Sequence, residues 1–421
     1  MGSTTLEVAP AAQASQAAAP SQADCCIVGG GPAGAVLSLL LARRGLKVVL
    51  LEMHKDFDRE FRGDTVHPST LEILDQLGLI DRVLALRHAK ITGPVIQTAS
   101  GPFQPVDLGR LNTKYPYILM VPQKNLLEIL TAEAKKFPNF HLVMGANATD
   151  LVTEAGVVRG VRYASDDGKH EVRATLTLAA DGRFSRLRRL AGIEPIATSP
   201  PMDVLWFRLP HLPSDPEASG GAFGGIGKGH IVLGLDRADH WQAGYVILKG
   251  SYQAVRAEGI EGLRRHIVEI IPELAEHVKT LTDWQQVALL SVESSRCPVW
   301  CKPGLLLIGD AAHVMSPIGG VGINYAIQDA VVAANLLTKP LLAGNVTLED
   351  LQAVQHKREW PTRLIQFIQT QAQKSLIASA LQSVGMLRVP RIVQLFFRIP
   401  VLRDLLPRLV AFGLFHVRVE N

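Results

Sequence analysis

Residues 305–308 (LLLI) are apolar and run straight into GDAAHVMSPIGGVGINYAIQDA, residues 309–330. A carboxylate at the end of a buried strand is costly unless something satisfies it, and once ionised it can only accept hydrogen bonds. Asp310 therefore asks for donors, and Pro317, Gly319, Gly320 and Gly322 follow it within about a dozen residues. A second constellation is Gly29-x-Gly31-x-x-Gly34, with Glu52 ending the next apolar run. There the first glycine permits a tight turn, the second lets backbone N–H groups approach a pyrophosphate, and the third lets a helix pack on its strand. Glu52 is then placed to accept the hydroxyls of an adenosine ribose. A third is LAADGRFSRLR (178–188), which carries Asp181-Gly182 at the end of another apolar run, with Ser185 and Arg188 behind it.

These residues need particular elements to position them. DCCIVG (24–29) reads as a short strand, GGPAG as a turn, AVLSLLLARRG as a helix stopped by Gly45, and LKVVLLE (46–52) as the next strand. Strand alternating with helix predicts a parallel sheet. Helical patterns recur at 69–77, 125–137, 321–338 and 347–380, with Thr347 and Asp350 as a helix start. Between 141 and 181 short alternating runs broken by Gly and Asp predict a small antiparallel meander that returns to the main sheet. From 199 to 299 the texture is strand-like, with one helical block near 254–279. The expected fold is α/β. A Rossmann-type, dinucleotide-binding domain with a parallel sheet takes residues 23–90, 123–198 and 300–384. A mostly antiparallel β-sheet substrate domain is interleaved at 91–122 and 199–299, and helices follow at the C-terminus.

Taken together, the three segments resemble the class A flavoprotein monooxygenases, the p-hydroxybenzoate hydroxylase-like family. That family's pattern G-D-A-A-H-x-x-x-P-x-x-G-x-G-x-N is matched by Gly309, Asp310, Ala311, Ala312, His313, Pro317, Gly320, Gly322 and Asn324, and D-G-x-x-S-x-x-R by Asp181, Gly182, Ser185 and Arg188. The resemblance covers most of residues 24–380. It implies non-covalent FAD on Gly29, Gly31, Gly34 and Glu52, with Asp310 on the ribityl or ribose hydroxyls and Asp181 near both FAD and the nicotinamide path. It also places Pro317 and the backbone of Gly320, Gly322, Ile323 and Asn324 beside the flavin's reactive edge, where N–H groups and a helix dipole stabilise the reduced ring. FRGDTVHPSTLEIL (61–74) and VPQKNLLEIL (121–130) resemble the family segments that touch FAD through an arginine and a glutamine, here Arg62 and Gln123. The implied chemistry is hydroxylation of an aromatic or electron-rich, lipophilic small molecule. NAD(P)H is a transient electron donor, O2 is the oxidant, and a flavin C4a-hydroperoxide is the oxygen donor. The resemblance assigns no universal side-chain acid or base, so no catalytic residue is named.

Other features bound this reading. The formal net charge of +4 is too small to argue for nucleic acid, and Cys297 and Cys301 lack the second Cys/His pair of a zinc site, so no metal is expected. Cys25 and Cys26 sit in a strand and are expected reduced and buried. Residues 1–22 contain no Lys or Arg and read as a disordered extension rather than a targeting signal. No apolar run is long enough to span a bilayer, and the expected location is cytoplasmic. The tail 385–421 carries six arginines against Asp404 and Glu420 in an apolar background. It suits either peripheral membrane contact or packing over the flavin domain, and packing is favoured. GGAFGGIGKG (220–229) lacks the first glycine and the Ser/Thr of a P-loop and reads as a hairpin. Tyr115, Tyr117 and Trp206 could line a pocket, although aromatics on strands more often belong to the core. Three alternatives share the fold: a halogenase, an isoprenoid double-bond reductase and a non-catalytic FAD sensor. The halogenase signature W-x-W is missing, since none of the five tryptophans has another two residues away.

Overall fold

The computed structural model describes residues 20–58, 64–99, 101–198, 201–213, 215, 221–227, 229–382 and 399–420, the side chains of 376–382 and 400–402 aside. Arg62, residues 1–19 of the expected extension and residues 383–398 of the tail lie outside the described residues. The first strand, Gln22–Val28, starts inside the span read as an extension. Its edge is already paired there, because Gln22 and Ala23 stand beside Arg173 and Ala174.

Five strands run parallel in the order 305–307, 168–179, 22–28, 48–52 and 140–144. Val48–Glu52 and Leu305–Leu307 are wholly buried, and so are the carboxyl ends of Gln22–Val28 and Gly168–Ala179, as a parallel sheet covered on both faces requires. The meander is present as Asn147–Glu154, Val157–Ser165 and the first half of Gly168–Ala179. It starts later than expected, since Phe140–Met144 pairs parallel with Val48–Glu52 and belongs to the main sheet. The helix Pro32–Arg43 packs on this sheet through ten consecutive buried residues. Cys25 and Cys26 are free and fully buried in the central strand, where burial pushes the Cys26 thiol up to about 12.

The second sheet has seven strands in the order 288–291, 202–210, 240–248, 230–236, 222–227, 94–98 and 101–103. It is antiparallel except where Pro94–Thr98 runs beside Ala222–Gly227. One face is covered by the helix Gly259–Ile270 through Leu263, Ile267 and Ile270. The opposite face gathers Met202, Val204, Ile226, Ile231 and Val246, and Ile318 of the 309–330 segment packs against it. Ala222–Gly227 and His230–Asp236 form the expected hairpin. The segment 91–122 is divided between layers. Ile118–Met120 pairs with Thr65–Val66 and Ala89–Ile91 in a separate three-stranded sheet, and Tyr115 is buried in the main core with Tyr117 packed edge-on 6.4 Å away. Those two aromatics thus serve the flavin-side core, whereas Trp206 is half-buried on the face that Ile318 meets.

Within the described tail, the helix Pro400–Phe412 and the extended residues after it lie across the main domain. Val417 is buried in the large core, Gln328 donates to the Phe412 carbonyl at 3.5 Å, and Asn335 donates to the Arg418 carbonyl at 2.8 Å. His67 is fully buried, with its Nδ1 2.7 Å from the Val410 carbonyl oxygen. Burial lowers the imidazole from 6.5 to about 4, only partly offset by that bond, so His67 is neutral and donates from Nδ1. A histidine that is harder to protonate when folded stabilises the fold above its unfolded pKa and stops doing so as pH falls. Between pH 6.5 and about 4 the protein should therefore lose about 3 kcal/mol from this residue alone. Urea denaturation of wild type and His67→Asn across that window should give stability curves that converge towards acid; parallel curves would refute the assignment.

Candidate active site

Parallel strands end their hydrogen-bond ladders at the carboxyl edge, where loops leave room for ligands. Val28 is aligned with Leu51 and Ala179, and Ala179 with Leu307. Gly29, Glu52, Asp181 and Gly309-Asp310 accordingly sit at the carboxyl edge of four adjacent strands. The chain leaves Val28 through Gly29 at φ +105°, where a Cβ would stand 2.3 Å from the Ala180 carbonyl oxygen. A Cβ on Gly34 would lie 1.9 Å from the Gly29 oxygen, so only glycine allows the helix to start so close to the strand. Gly31, in contrast, faces open space, with no atom within 4 Å of the place a Cβ would take. It is also the N-cap of the helix and offers no side-chain cap, so the first-turn N–H groups remain available to an anion.

Glu52 is buried. Its Oε2 accepts the Gly30 N–H at 2.7 Å, and its Oε1 lies 3.0 Å from the His54 N–H and 2.6 Å from His54 Nδ1. Asp181 is used locally. Its Oδ1 accepts from Ser185 at 2.5 Å and its Oδ2 from the Arg186 and Leu187 N–H groups at 2.7 and 3.1 Å. It thereby holds the start of the helix Arg186–Leu190, with Ser185 capping Arg188. Burial pushes this carboxyl up, against those hydrogen bonds. Arg188 is buried too, and donates to the Arg183 and Ala311 carbonyls at 2.9 and 3.0 Å, tying the 178–188 motif to the 309–313 motif.

Asp310 stands half-buried in the single turn Gly309–Ala311. The turn is fixed from behind by Asp329, on the helix Gly322–Leu342. Asp329 Oδ2 accepts the Gly309 N–H at 3.0 Å and lies 2.6 Å from His313 Nε2, while its Oδ1 accepts from Arg358 Nε at 2.7 Å. All three side chains are at most 1% exposed. Burial would raise the Asp329 carboxyl, but His313 and Arg358 outweigh it and hold the group below the ordinary carboxylate range. His313 is structural here. The sequence reading missed Asp329 and Arg358, and the only signal was an aspartate inside the apolar run of that helix.

The remaining motif residues form one wall. Pro317 is exposed, Gly320, Gly322 and Ile323 are half-exposed, and Asn324 is buried. Asn324 Oδ1 accepts from the His67 N–H at 2.9 Å and Thr70 Oγ1 at 2.7 Å, and its Nδ2 donates to the Thr65 and Gly320 carbonyls at 3.2 and 3.3 Å. Its side chain is thus spent on the protein, and what it presents outward is backbone. The helix Gly322–Leu342 starts here without a side-chain cap, a second free helix N-terminus. Gln123 starts the helix Gln123–Ala134 and is half-exposed. Its N–H donates to Asp64 Oδ1 at 2.9 Å, and Asp64 Oδ2 pairs with Arg237 of the second sheet. That ion pair, which ties the residue before Thr65–Val66 to the turn after His230–Asp236, had no local signature in the sequence. Among the described residues no group of His, Cys, Asp and Glu is arranged to hold a metal, and no helix is long and apolar enough to cross a membrane.

An open glycine cradle at a free helix N-terminus, with carboxylates at the ends of neighbouring strands, fits a dinucleotide such as FAD. Comparison with known proteins agrees. The FAD binding domain family matches residues 22–367. The 6-methylpretetramide 4-monooxygenase of Streptomyces rimosus is 33% identical over 401 residues, 94% of each chain. The p-nitrophenol 4-monooxygenase structure from Pseudomonas putida DLL-E4 superposes with a TM-score of 0.73 at 20% identity, covering 94% of this chain and all of that one. The flavin-dependent brominase Bmp2 superposes with a TM-score of 0.74 at 19% identity, over 93% of each chain, which marks a fold shared by different chemistries. With its motifs, its carboxyl-edge crevice and a full-length relative in agreement, the chain belongs to the p-hydroxybenzoate hydroxylase-like FAD-dependent monooxygenases, which use NAD(P)H and O2 to hydroxylate aromatic small molecules.

Proposed function

We propose that this enzyme hydroxylates a polycyclic phenolic substrate of the polyketide kind, held between the 317–324 wall and the apolar face of the second sheet. The observation that carries the reading is Ile318, which leaves the flavin motif to pack with Met202, Val204, Ile226, Ile231 and Val246. A broad apolar surface beside the reactive edge suits a fused aromatic substrate, and Trp206 adds a half-buried ring at its margin. The relative named for 6-methylpretetramide, alike along nearly its whole length, supports the same substrate class.

In this reading Gly29, Gly31 and Gly34 admit the pyrophosphate to the first helix N-terminus, Glu52 accepts the ribose hydroxyls, and Asp310 accepts from the polyol chain. Bound FAD supplies two-electron transfer from NAD(P)H and the activation of O2. The N–H groups of Gly322–Asn324, in the first turn of the uncapped helix, and the dipole behind them would favour negative charge on a ring held there. Pro317 and Ile318 exclude water where oxygen is transferred. Arg62 and Gln123 are proposed to contact the cofactor from the 61–74 and 121–130 segments, with Asp181 acting through the helix turn it holds. The described part of the tail packs on the domain.

Two measurements test this. Anaerobic bleaching of the flavin by NADPH or NADH should accelerate about tenfold or more with a polycyclic phenol present, and O2 should then appear as a hydroxyl in the product. Bleaching that no aromatic ligand accelerates would defeat the substrate reading, and dependence on a separate reductase with halide in the product would favour a halogenase. Asp310→Ala removes charge-assisted hydrogen bonds of about 1.5–3 kcal/mol each, so FAD affinity should fall about ten- to a hundredfold by equilibrium dialysis. A full yellow complement in the purified variant would show that Asp310 does not hold the cofactor.

A further inference from the structure

The helix Leu348–Gln382 buries a polar stripe beside its apolar residues Leu351, Val354 and Ile365. Gln355, Arg358, Thr362, Gln366, Gln369 and Gln373 recur at three- and four-residue intervals, and each is at most 8% exposed. At that spacing one face of a helix meets one neighbouring layer, where leucine would ordinarily stand. The layer it meets is the backbone around the flavin motif. Gln366 Nε2 donates to the Ser295 and Val314 carbonyls, both at 3.0 Å. Gln369 Nε2 donates to the Ser316 carbonyl at 3.0 Å and the Ile318 carbonyl at 2.7 Å, and Gln373 Nε2 donates to Ser316 Oγ.

Both N–H bonds of the Gln369 amide thus reach the carbonyls on either side of Pro317. The arrangement is costly, because among the described residues the Oε1 atoms of Gln366 and Gln369 are buried without a partner. A leucine would avoid that cost but would leave the Ser316 and Ile318 carbonyls without these donors. What the stripe gains is one fixed path for residues 314–318, a stretch with no regular structure between His313–Val314 and the turn Ile318–Gly320.

We propose that Gln369, backed by Gln366 and Gln373, is a positioning residue for the hydroxylation: it clamps the Ser316–Ile318 backbone and so sets Pro317 against the flavin and Ile318 against the substrate. This rests on the function proposed above. The clamp acts through the loop, so its loss should spare cofactor binding and harm alignment. A displacement of about 1 Å at a reacting centre can cost about a hundredfold in rate.

The test uses the FAD-loaded full chain as wild type, Gln369→Leu, Gln369→Glu and, as a control on an exposed position of the same helix, Gln371→Leu. Gln369→Leu should keep its FAD and its melting temperature, while kcat per bound flavin falls about ten- to a hundredfold with KM little changed and more NAD(P)H electrons ending as hydrogen peroxide. The near-isosteric Gln369→Glu keeps the shape but donates only when protonated, so its product yield per NAD(P)H should recover towards wild type as pH is lowered. Should Gln369→Leu not fold, that pH profile decides alone: a Gln369→Glu profile parallel to wild type overturns the proposal. A readout independent of substrate is the midpoint potential and visible spectrum of the bound flavin, which should shift in both Gln369 variants and not in Gln371→Leu. Unchanged flavin properties and unchanged coupling in both would overturn the clamp. Failure of the substrate reading would instead show as a wild type that no aromatic ligand stimulates, with the flavin readout still deciding on the clamp.

Discussion

One fully buried carboxylate, Asp329, organises the catalytic half of the molecule. Taking such a charge out of water is unfavourable by several kcal/mol unless it is paired and hydrogen-bonded, and Asp329 has Arg358 on one oxygen and His313 with the Gly309 N–H on the other. Those partners come from the strand-end turn, the motif that follows it and the long helix behind. The unfavourable burial of one group is therefore relieved only when three separate segments assume one arrangement. A hydrophobic replacement of equal volume could be as stable. It would not specify where the Gly309–Ala311 turn ends, and with it the direction in which Asp310 points.

Around that pin the crevice divides its labour by charge. Two helix N-termini without side-chain caps, at Pro32 and Gly322, offer amide hydrogens where negative charge is expected. Carboxylates at the strand ends offer acceptors where hydroxyls are expected. In the proposed binding mode a dinucleotide would bring the acceptors that Ser or Asp would otherwise supply. The second sheet meets Ile318 with a cluster of apolar side chains, which suits an apolar substrate.

The cofactor half of this arrangement was legible in the sequence because its determinants are local. A glycine that must adopt positive φ, a helix that must start against a strand and an acidic residue that ends an apolar run all leave their mark within a few residues. The parallel sheet and the antiparallel second sheet followed from alternation, and the glycine-rich stretch 220–229, read as a hairpin because it fails as a P-loop, holds the first of the paired strands Ala222–Gly227 and His230–Asp236. What was not legible depends on proximity across long separations. Asp64 meets Arg237 over 173 residues, and Arg358 meets Asp329 from the next helix. The inward glutamines look, by composition, like the solvent-facing side of a helix. Tyr115 shows the converse, an aromatic in a substrate-like segment that belongs to the main core, the more common of the two roles open to it. Asp181 shows a motif residue whose visible contacts are those of a helix cap.

The order of strands in the main sheet has a consequence for how the protein is made. Its central strand, Gln22–Val28, pairs with Gly168–Ala179, which in turn pairs with Leu305–Leu307, and the His67 shelf is closed by Val410. A ribosome delivers about 5–20 residues per second, so the first strand waits roughly ten seconds or more for its neighbour and about twice that for the edge. During that interval the glycine cradle is already synthesised but has only one wall. A cofactor that binds the native crevice and not its precursors would then stabilise the folded chain by mass action.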